Sequence, residues 1–470
     1  MSKDLRLYLK ELEEAGELQH LTKEVDPLTN LGGIAYQIAG QTGKASYFEN
    51  LKGHPGWRAV SYVNGSRRRL AIGLHTTPQN FIPHLRGLMA KGLTPAKLVK
   101  DGPVQEVVWT GKDVDLWKLP IHRHADNDAG PYIGGDMAIV KDPETGARNV
   151  SMHRMQLQDK QQLGIMMSPG RHMHLIYQKY EARNKPMPIA IVIGHHPAYY
   201  VAANWTTAFG VDELEIAGTI LGEPVEMVRC KTIDLEAPAW AEIVIEGEVL
   251  PHERHLEGPF TEHTGLSRAG NGMHPFIRVK AITMRQDAIY YALQGGRPIA
   301  ESQVLDGLPM EVVLFERIKD VGGFVDLKDV VVPPYVGGCH VVFIQLTPSQ
   351  EGQANDALMA ALSSPYIHPR IVIALDDDVD PHDPQQVFWS LSTRCNPVDD
   401  VFIVKNTKGL LLDPTAKLLS PPGVFPHIRL GSKMGIDATK PPLRDVEGRH
   451  EQQLSVPMGL ERHNWRDFIA

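Results

Sequence analysis

The sequence predicts a mixed α/β (α+β) protein in which a β-rich, barrel-like central domain is followed by a second, α/β domain. Three observations carry that reading. The 470 residues are enough for two or three domains. Between Val107 and about Ile299 the chain runs in short β-rich stretches separated by turn signals. After the Pro333-Pro334 break, an apolar stretch, an Ala-rich helix and a second apolar stretch succeed one another, the order that implies a parallel strand pair joined by a helical crossover.

Each element has a local reason. Leu5, Tyr8, Leu9 and Leu12 fall on one helical face and Gly16 follows a Glu-rich end, which predicts an opening amphipathic helix closed by glycine. Strand-like Ala45 to Glu49 and Ala59 to Val63 precede a helix from about Gln79 to Lys91, with Pro83 in its first turn. In the central region Ile189 to Ile193, Ala241 to Glu246 and Phe276 to Ile282 are the clearest strands, and Asp142-Pro143 and Glu246-Gly247 are turn signals. Helices near Arg171 to Asn184 and Glu213 to Leu221 interrupt them. A helical stretch after Leu308 leads to Pro333-Pro334, followed by a strand over Val341 to Leu346, a helix over Gly352 to Leu362 and a strand over Ile371 to Leu375. The tail, from about Leu443, is polar with one late amphipathic piece, and no repeat of fixed period is present.

Composition excludes several function classes. The formal charge of −8 argues against a nucleic-acid or anionic-membrane partner, since both require a basic surface. Cys230, Cys339 and Cys395 are the three cysteines, too far apart for a disulfide framework or a thiolate zinc site. The charged start lacks the apolar segment of a signal peptide, and the longest apolar runs are of strand length, so a cytoplasmic location without membrane spans is expected. The 42 Gly and 35 Pro lie in turn-like clusters, which reads as a loop-rich enzyme with 21 histidines whose purpose is open. No Walker loop, dinucleotide fingerprint or Gly-x-Ser-x-Gly elbow is present.

Four segments have chemical potential. In His255-Leu-Glu257-Gly-Pro-Phe-Thr-Glu262-His263, a Gly-Pro turn separates two carboxylates that could converge on one reacting centre; in a dry pocket one of them would keep its proton and serve as an acid. The same residues read equally as a solvated acidic loop. Asn149-Val-Ser151-Met152-His153-Arg154 taken as one strand would point Asn149, Ser151 and His153 one way and Arg154 the other, unless a bulge intervenes. Arg154 suits a bidentate grip on a carboxylate, or is an incidental surface residue. Pro169-Gly170-Arg171-His172-Met-His174 opens a helix, where backbone N–H groups and Arg171 suit a phosphate and where His172 or His174 is either a metal ligand or a cap. The run Asp376-Asp377-Asp378-Val-Asp380 reads as a magnesium site or, more simply, as a solvated turn. These residues alone reach an α/β plus β enzyme with an Arg and two Glu as candidates, and no reaction.

Taken together, the segments resemble the UbiD family of reversible, prenylated-flavin-dependent (de)carboxylases. The likeness rests on Asn149-Val-Ser-Met-His-Arg154-Met-Gln, Pro169-Gly-Arg-His172, Glu213 within Val211-Asp-Glu-Leu-Glu-Ile-Ala-Gly-Thr-Ile-Leu-Gly222, Glu257-Gly-Pro-Phe-Thr-Glu262-His-Thr-Gly, and Lys433-Met-Gly-Ile-Asp437-Ala-Thr. Leu5 to Asp26 also resemble the family's start, so the likeness covers nearly the whole chain.

The resemblance implies an N-terminal α/β region over 1–105, a split-barrel domain binding prenylated FMN over 106–305, a linking helix over 306–335 and a C-terminal α/β dimerisation domain with its tail over 336–470. Asn149, His172 and Glu213 fall where the family holds a divalent ion, manganese or magnesium, that bridges to the flavin phosphate. Backbone carbonyls of Ala202, Ala203 and Trp205 would hold potassium. Asn149, Ser151, Met152, His153, Arg154, Gly170, Arg171, His172 and Glu213 would contact the cofactor. Arg154, Glu257 and Glu262 match the catalytic set: Arg154 orients the substrate carboxylate, Glu262 donates the proton, and Glu257 tunes Arg154. The implied reaction is reversible, non-oxidative decarboxylation of an aromatic, heteroaromatic or α,β-unsaturated acid through a covalent flavin adduct. The implied partners are a small carboxylic acid, a flavin prenyltransferase as cofactor supplier, and further copies of the chain in a homodimer or larger oligomer.

The sequence departs from the family's commoner patterns at Glu262, where quinone-pathway members often have Asp, and at His263, where acrylate members can carry an apolar residue. Ser302, Asp306, Ile436 and Ala438 align loosely with pocket positions, and polar Asp306 with small Ala438 suggests a roomy pocket for an aromatic or heteroaromatic acid. Two other readings compete: a metal-dependent hydrolase with Glu257 or Glu262 as base, opposed by the lack of a helical His-x-x-x-His pair, and a non-catalytic flavin-binding protein, which would not need two carboxylates beside an Arg.

Overall fold

The computed structural model describes residues 4–267, 271–321, 326–421, 428–440 and 451–458, together with 462, 464 and 466. Most of the expected tail therefore lies outside the described residues. The opening helix spans Leu5–Glu14, with the Asp4 side chain accepting from the Leu7 N–H at its start. Leu5, Tyr8, Leu9 and Leu12 are its buried face, and Gly16 follows the end at φ +70°, as the sequence pattern predicts. Strands Leu18–Leu21, Ala45–Phe48 and Arg58–Ser61 form a small sheet whose fourth strand, Ile289–Tyr291, arrives from much later in the chain. This join is locked by Glu301, whose buried carboxylate accepts from the Tyr62 and Asn64 N–H groups and the Tyr291 hydroxyl.

The central unit is a nine-stranded sheet in the order Tyr132–Ile133, Met155–Asp159, Gln162–Ile165, Phe276–Met284, Ile243–Val249, Met187–Ile193, Asp136–Lys141, Arg148–Ser151, with Val107–Thr110 paired to Phe276–Met284 off that path. Its named pairs are antiparallel. Arg148–Ser151 ends the order at one edge, yet the next strand in the chain, Met155–Asp159, lies near the other edge. Six strand spacings would separate them by about 29 Å in a flat sheet, whereas the four residue steps between them reach at most about 14 Å. The sheet must curl until its edges approach, which is the barrel-like form the sequence suggests. The Asn149–Arg154 stretch is accordingly two strand ends with a crossing between them, and the single-strand alternation expected for it does not hold.

Helices His172–Ala182 and Glu213–Leu221 match expectation; a third, Pro197–Ala203, was not foreseen. Asp212 caps the Glu213–Leu221 helix by accepting from the Leu214 N–H, and Gly222 closes it at φ +74°. The linking helix runs Glu301–Val321, earlier than the expected 306–335, because the β-branched run ending in Val330-Val331 forms a strand, Asp326–Val331, on the C-terminal sheet. That sheet orders Asp326–Val331, Val341–Thr347, Ile371–Leu375, Arg429–Ala438, Val401–Gly409, with Val341–Thr347 parallel to Ile371–Leu375. Helix Gln353–Leu362 makes the crossover between the parallel pair. The Asp376–Asp380 run is a turn after Ile371–Leu375. Arg394 grips the Asp378 carboxylate through two bonds of 2.8 and 2.7 Å, and Lys440 lies 3.6 Å from Asp376. These cations offset Asp378 and Asp376, while Asp377 accepts from the Thr347 hydroxyl and Asp380 from the His382 N–H; the carboxylates of Asp376, Asp377 and Asp378 still lie within 4.8 Å of one another, so the turn keeps the grouping a cation would need.

Candidate active site

The central sheet, the Glu301–Val321 helix and the C-terminal unit enclose a cavity of about 800 Å³, near the upper end for small-molecule sites. The 149–154 crossing coats one part of its wall. Asn149, Ser151, Met152, His153 and Arg154 all line it. The ring of His153 is fixed at both ends, Nδ1 3.0 Å from the Met166 carbonyl and Nε2 3.0 Å from the Ser151 hydroxyl, and burial lowers its pKa to about 4, so it is neutral. With Nδ1–H donating to the carbonyl, Nε2 accepts from Ser151. The Met152 sulfur lies 2.9 Å from the Asn204 side-chain nitrogen.

Arg154 is the centre of an ionic cluster. Its Nε and Nη2 donate to the two oxygens of Glu257 at 3.0 and 2.6 Å, and its Nη1 donates to Glu262 Oε1. All three are buried, at 6% exposure for Arg154, 0% for Glu257 and 5% for Glu262. Burial opposes the guanidinium charge, but the two carboxylates outweigh it and hold the pKa above the usual arginine range. The carboxylates are not equivalent: Glu262 lines the cavity, whereas Glu257 sits behind Arg154 and does not. A tight turn sets this arrangement. Gly258 has φ +92°, and a Cβ there would come within 2.8 Å of Asn271. The loop beyond is pinned where Asp128 accepts from the Thr261 N–H at 2.7 Å and the Pro259 carbonyl accepts from Ala129 at 2.7 Å.

A second cluster joins Asn149 to Glu213. The Asn149 amide and the Val150 N–H donate to the two Glu213 oxygens at 3.0 and 2.7 Å. Burial pushes the Glu213 carboxyl up to about 8. A carboxylate buried at this cost fits a cation site, and the oxygens of Asn149 and Glu213 with an imidazole lining the same cavity suit a hard divalent ion. His172 supplies that imidazole at the start of its helix, lining the same cavity with its ring edge-on to Phe209. His174, the other candidate ligand, is not among the residues lining the cavity, and its Nδ1 accepts a bond of 3.4 Å from the Gly170 N–H. Gly170, at φ +72°, and Arg171 line the cavity beside it. Ala203 and Trp205 line the cavity too, while Ala202 does not and its carbonyl accepts from the Trp205 N–H at 3.0 Å.

Of the pocket positions inferred by alignment, His263, Ser302 and Asp306 line the cavity. Ile436 and Ala438 do not. Ala438 is fully buried in the C-terminal core with Val331, Phe343 and Leu375, so its small size creates no room for a substrate. The sequence reading missed Lys408 and Lys433, which bring positive charge to the cavity from the C-terminal sheet. It also missed Tyr366, whose hydroxyl donates to the Asn204 carbonyl and accepts from the Thr206 N–H, both at 3.0 Å. Lysine-bearing strands are common, so only the Lys433-Met-Gly motif gave any signal. Among the described residues no helix is long and apolar enough to cross a membrane.

Comparison with known proteins agrees with this architecture. Models of the three domains of 3-octaprenyl-4-hydroxybenzoate carboxy-lyase match: the N-terminal domain over residues 9–89, the Rift-related domain over 97–298 and the C-terminal domain over 303–438. A phenolic acid decarboxylase from Sedimentibacter hydroxybenzoicus is 33% identical over 486 residues, covering 99% of this chain and 97% of that one. The FMN-bound UbiD-class enzyme HmfF from Pelotomaculum thermopropionicum superposes with a TM-score of 0.87 at 36% identity, covering 99% of this chain and 100% of its own. A 3,4-dihydroxybenzoic acid decarboxylase from Klebsiella pneumoniae gives a TM-score of 0.85 at 30% identity, with 99% of each chain covered. From the domain matches, the full-length relatives and the shared fold together, the chain belongs to the UbiD family of carboxy-lyases.

Proposed function

We propose that this protein catalyses the reversible, non-oxidative decarboxylation of an aromatic, heteroaromatic or α,β-unsaturated carboxylic acid with prenylated FMN as cofactor. The observation that carries the reading is the clamped Arg154, with one carboxylate facing the cavity and the other buried behind it. Loss of carbon dioxide from an sp² carbon leaves an electron pair that no side chain can accept, and the bound flavin supplies that electron sink.

The protein's own groups do the rest. Arg154 is held charged and orients the substrate carboxylate by a charge-assisted bond. Glu262, on the cavity face, carries the proton that replaces carbon dioxide on the substrate carbon. Glu257 fixes the guanidinium plane through its paired bonds and sets the charge balance against which Glu262 gains and loses that proton. Run backward at high carbon dioxide, the same residues serve carboxylation. Ser151, Met152, His153 and Gly170 would contact the flavin, and Arg171 with Lys408 would meet its phosphate. Asn149, His172 and Glu213 would hold manganese or magnesium, and the carbonyls of Ala202, Ala203 and Trp205 potassium. A flavin prenyltransferase would supply the cofactor, and the chain would work as a cytoplasmic homodimer or larger homo-oligomer.

The deciding experiment produces the protein with and without a flavin prenyltransferase, measures the mass and absorbance of the bound cofactor, and follows carbon dioxide release from a panel of acids. Release is expected only from the co-expressed protein. Equal turnover by protein lacking flavin would overturn the reading.

Ion binding has its own signature. A carboxyl whose folded-state pKa lies above its unfolded value holds its proton more tightly when folded. Stability therefore falls as pH rises from the ordinary 4.5 toward the folded value of about 8 at Glu213. Manganese replaces that proton, so the rise in Tm that it gives flavin-free protein is expected to be larger at pH 8 than at pH 6. Glu213→Gln should remove most of the rise at both; an undiminished rise would place the ion elsewhere.

A further inference from the structure

Phe260 lies in sequence between the two carboxylates of the ionic cluster, Glu257 and Glu262, and its ring lines the cavity at 5% exposure. The Arg154 guanidinium carbon stands over this ring, 5.5 Å from its centre, inside the distance of about 6 Å within which a cation is drawn to an aromatic face. Two more rings fix the Phe260 ring in turn. Tyr132, wholly buried, packs against it at 4.4 Å and comes from the strand paired with Met155–Asp159, which begins directly after Arg154. The Tyr132 hydroxyl donates to the Pro259 carbonyl at 3.4 Å. His124 meets the Phe260 ring edge to face at 5.1 Å, and its Nε2–H donates to the Leu293 carbonyl at 2.9 Å, which holds the imidazole in place. One carboxylate ties the segment of His124 to that of Phe260: Asp128 accepts from the Ala125 N–H at 2.9 Å with one oxygen and from the Thr261 N–H at 2.7 Å with the other.

Two kinds of contact hold the guanidinium, and turnover treats them differently. Its bonds to Glu257 and Glu262 are charge-assisted, so each is strong only while its carboxylate is ionised. A Glu262 that gives up and regains a proton weakens and restores its bond to Arg154 once in every cycle. Attraction to a ring face depends on the cation alone and does not titrate. It also uses none of the N–H groups through which an arginine binds a carboxylate. Both partners here are buried, the setting in which this attraction is strongest. We propose that Phe260 is a positioning residue that keeps the Arg154 guanidinium aimed at the substrate carboxylate while Glu262 changes its protonation, with Tyr132 and His124 holding the ring.

This inference rests on the decarboxylase reading for its substrate carboxylate, and its test separates the two. Replacing Phe260 by phenylalanines carrying one, two and three ring fluorines drains the negative face of the ring stepwise while nearly keeping its shape, so a residue that only fills space shows no graded response. Urea unfolding of this series is expected to show the folding constant falling at least about threefold from none to three fluorines. The same series in an Arg154→Met background should be flat, with Glu257→Gln added should that single variant fail to fold. Calorimetry of benzoate and cinnamate on FMN-loaded protein, and kcat/KM of the prenylated enzyme on the same acids, should fall in step with the fluorine count, again by at least about threefold. Phe260→Leu, which lacks a π face, should match or exceed the loss at three fluorines; flavin absorbance and Tm verify that each variant is folded. Equal gradients in the two backgrounds, or carboxylate affinity and kcat/KM that stay level or rise across the series, would overturn the role of Phe260 and leave the decarboxylase reading standing. Graded carboxylate binding without carbon dioxide release from any acid would uphold Phe260 and count against the decarboxylase reading instead.

Discussion

Glu262→Gln is expected to lower steady-state turnover by about 10²–10⁴-fold, the usual weight of a positioned general acid, while the protein keeps its cofactor and fold. The substitution is nearly isosteric, and the amide oxygen can still accept from Arg154 Nη1 as the carboxylate does. What is lost is a proton that can be given up. The defect should therefore fall on proton delivery and not on the departure of carbon dioxide. A stopped single-turnover experiment distinguishes the steps: the variant should release about one equivalent of carbon dioxide per site and then stall. Flavin absorbance and Tm close to wild type would confirm that the site is intact. Undiminished turnover would mean that another group donates the proton, and His263, 3.7 Å away, would be the next to test.

How far the sequence foretold this site depends on how local each signal is. The Glu213–Leu221 helix was readable to the residue because its start and stop are written locally, in Asp212 and Gly222. The parallel pair Val341–Thr347 and Ile371–Leu375 was readable because a helix between two apolar runs leaves few other topologies. The crossing at Met152–Arg154 was not, since the turn there depends on two sheet edges approaching across the barrel. The capture of Ile289–Tyr291 by the N-terminal sheet was equally hidden, because nothing near Ile289 records its partner, Arg58–Ser61. Ile436 and Ala438 show the opposite error. Their motif is real, but the strand carrying them faces the core of the C-terminal sheet at Ala438, and the cavity receives Lys433 instead. The Arg and Glu residues were legible as chemical types, and the resemblance told which ones belong together. Only the fold separates Glu262, at the cavity, from Glu257, behind it.

That separation gives Arg154→Met the largest expected effect on both activity and stability. The side chain is of similar length and apolar, so it fills the space without the charge. Decarboxylation should fall below detection, since nothing else in the cluster can orient the substrate carboxylate. Stability should fall as well, by about 3–5 kcal/mol, because removing one member of a buried ion pair leaves the other uncompensated. Here the stranded group is chiefly Glu257, wholly buried and bonded twice to the missing guanidinium. Glu262 has the cavity beside it and can be relieved by water. Adding Glu257→Gln to Arg154→Met should therefore recover much of the lost stability without restoring any activity, whereas adding Glu262→Gln should recover less. Urea unfolding of the single and double variants measures the coupling directly. If the two double variants recovered equally, Glu257 and Glu262 would be energetically alike, and the division between a buried tuning carboxylate and a cavity-facing acid would fail with them.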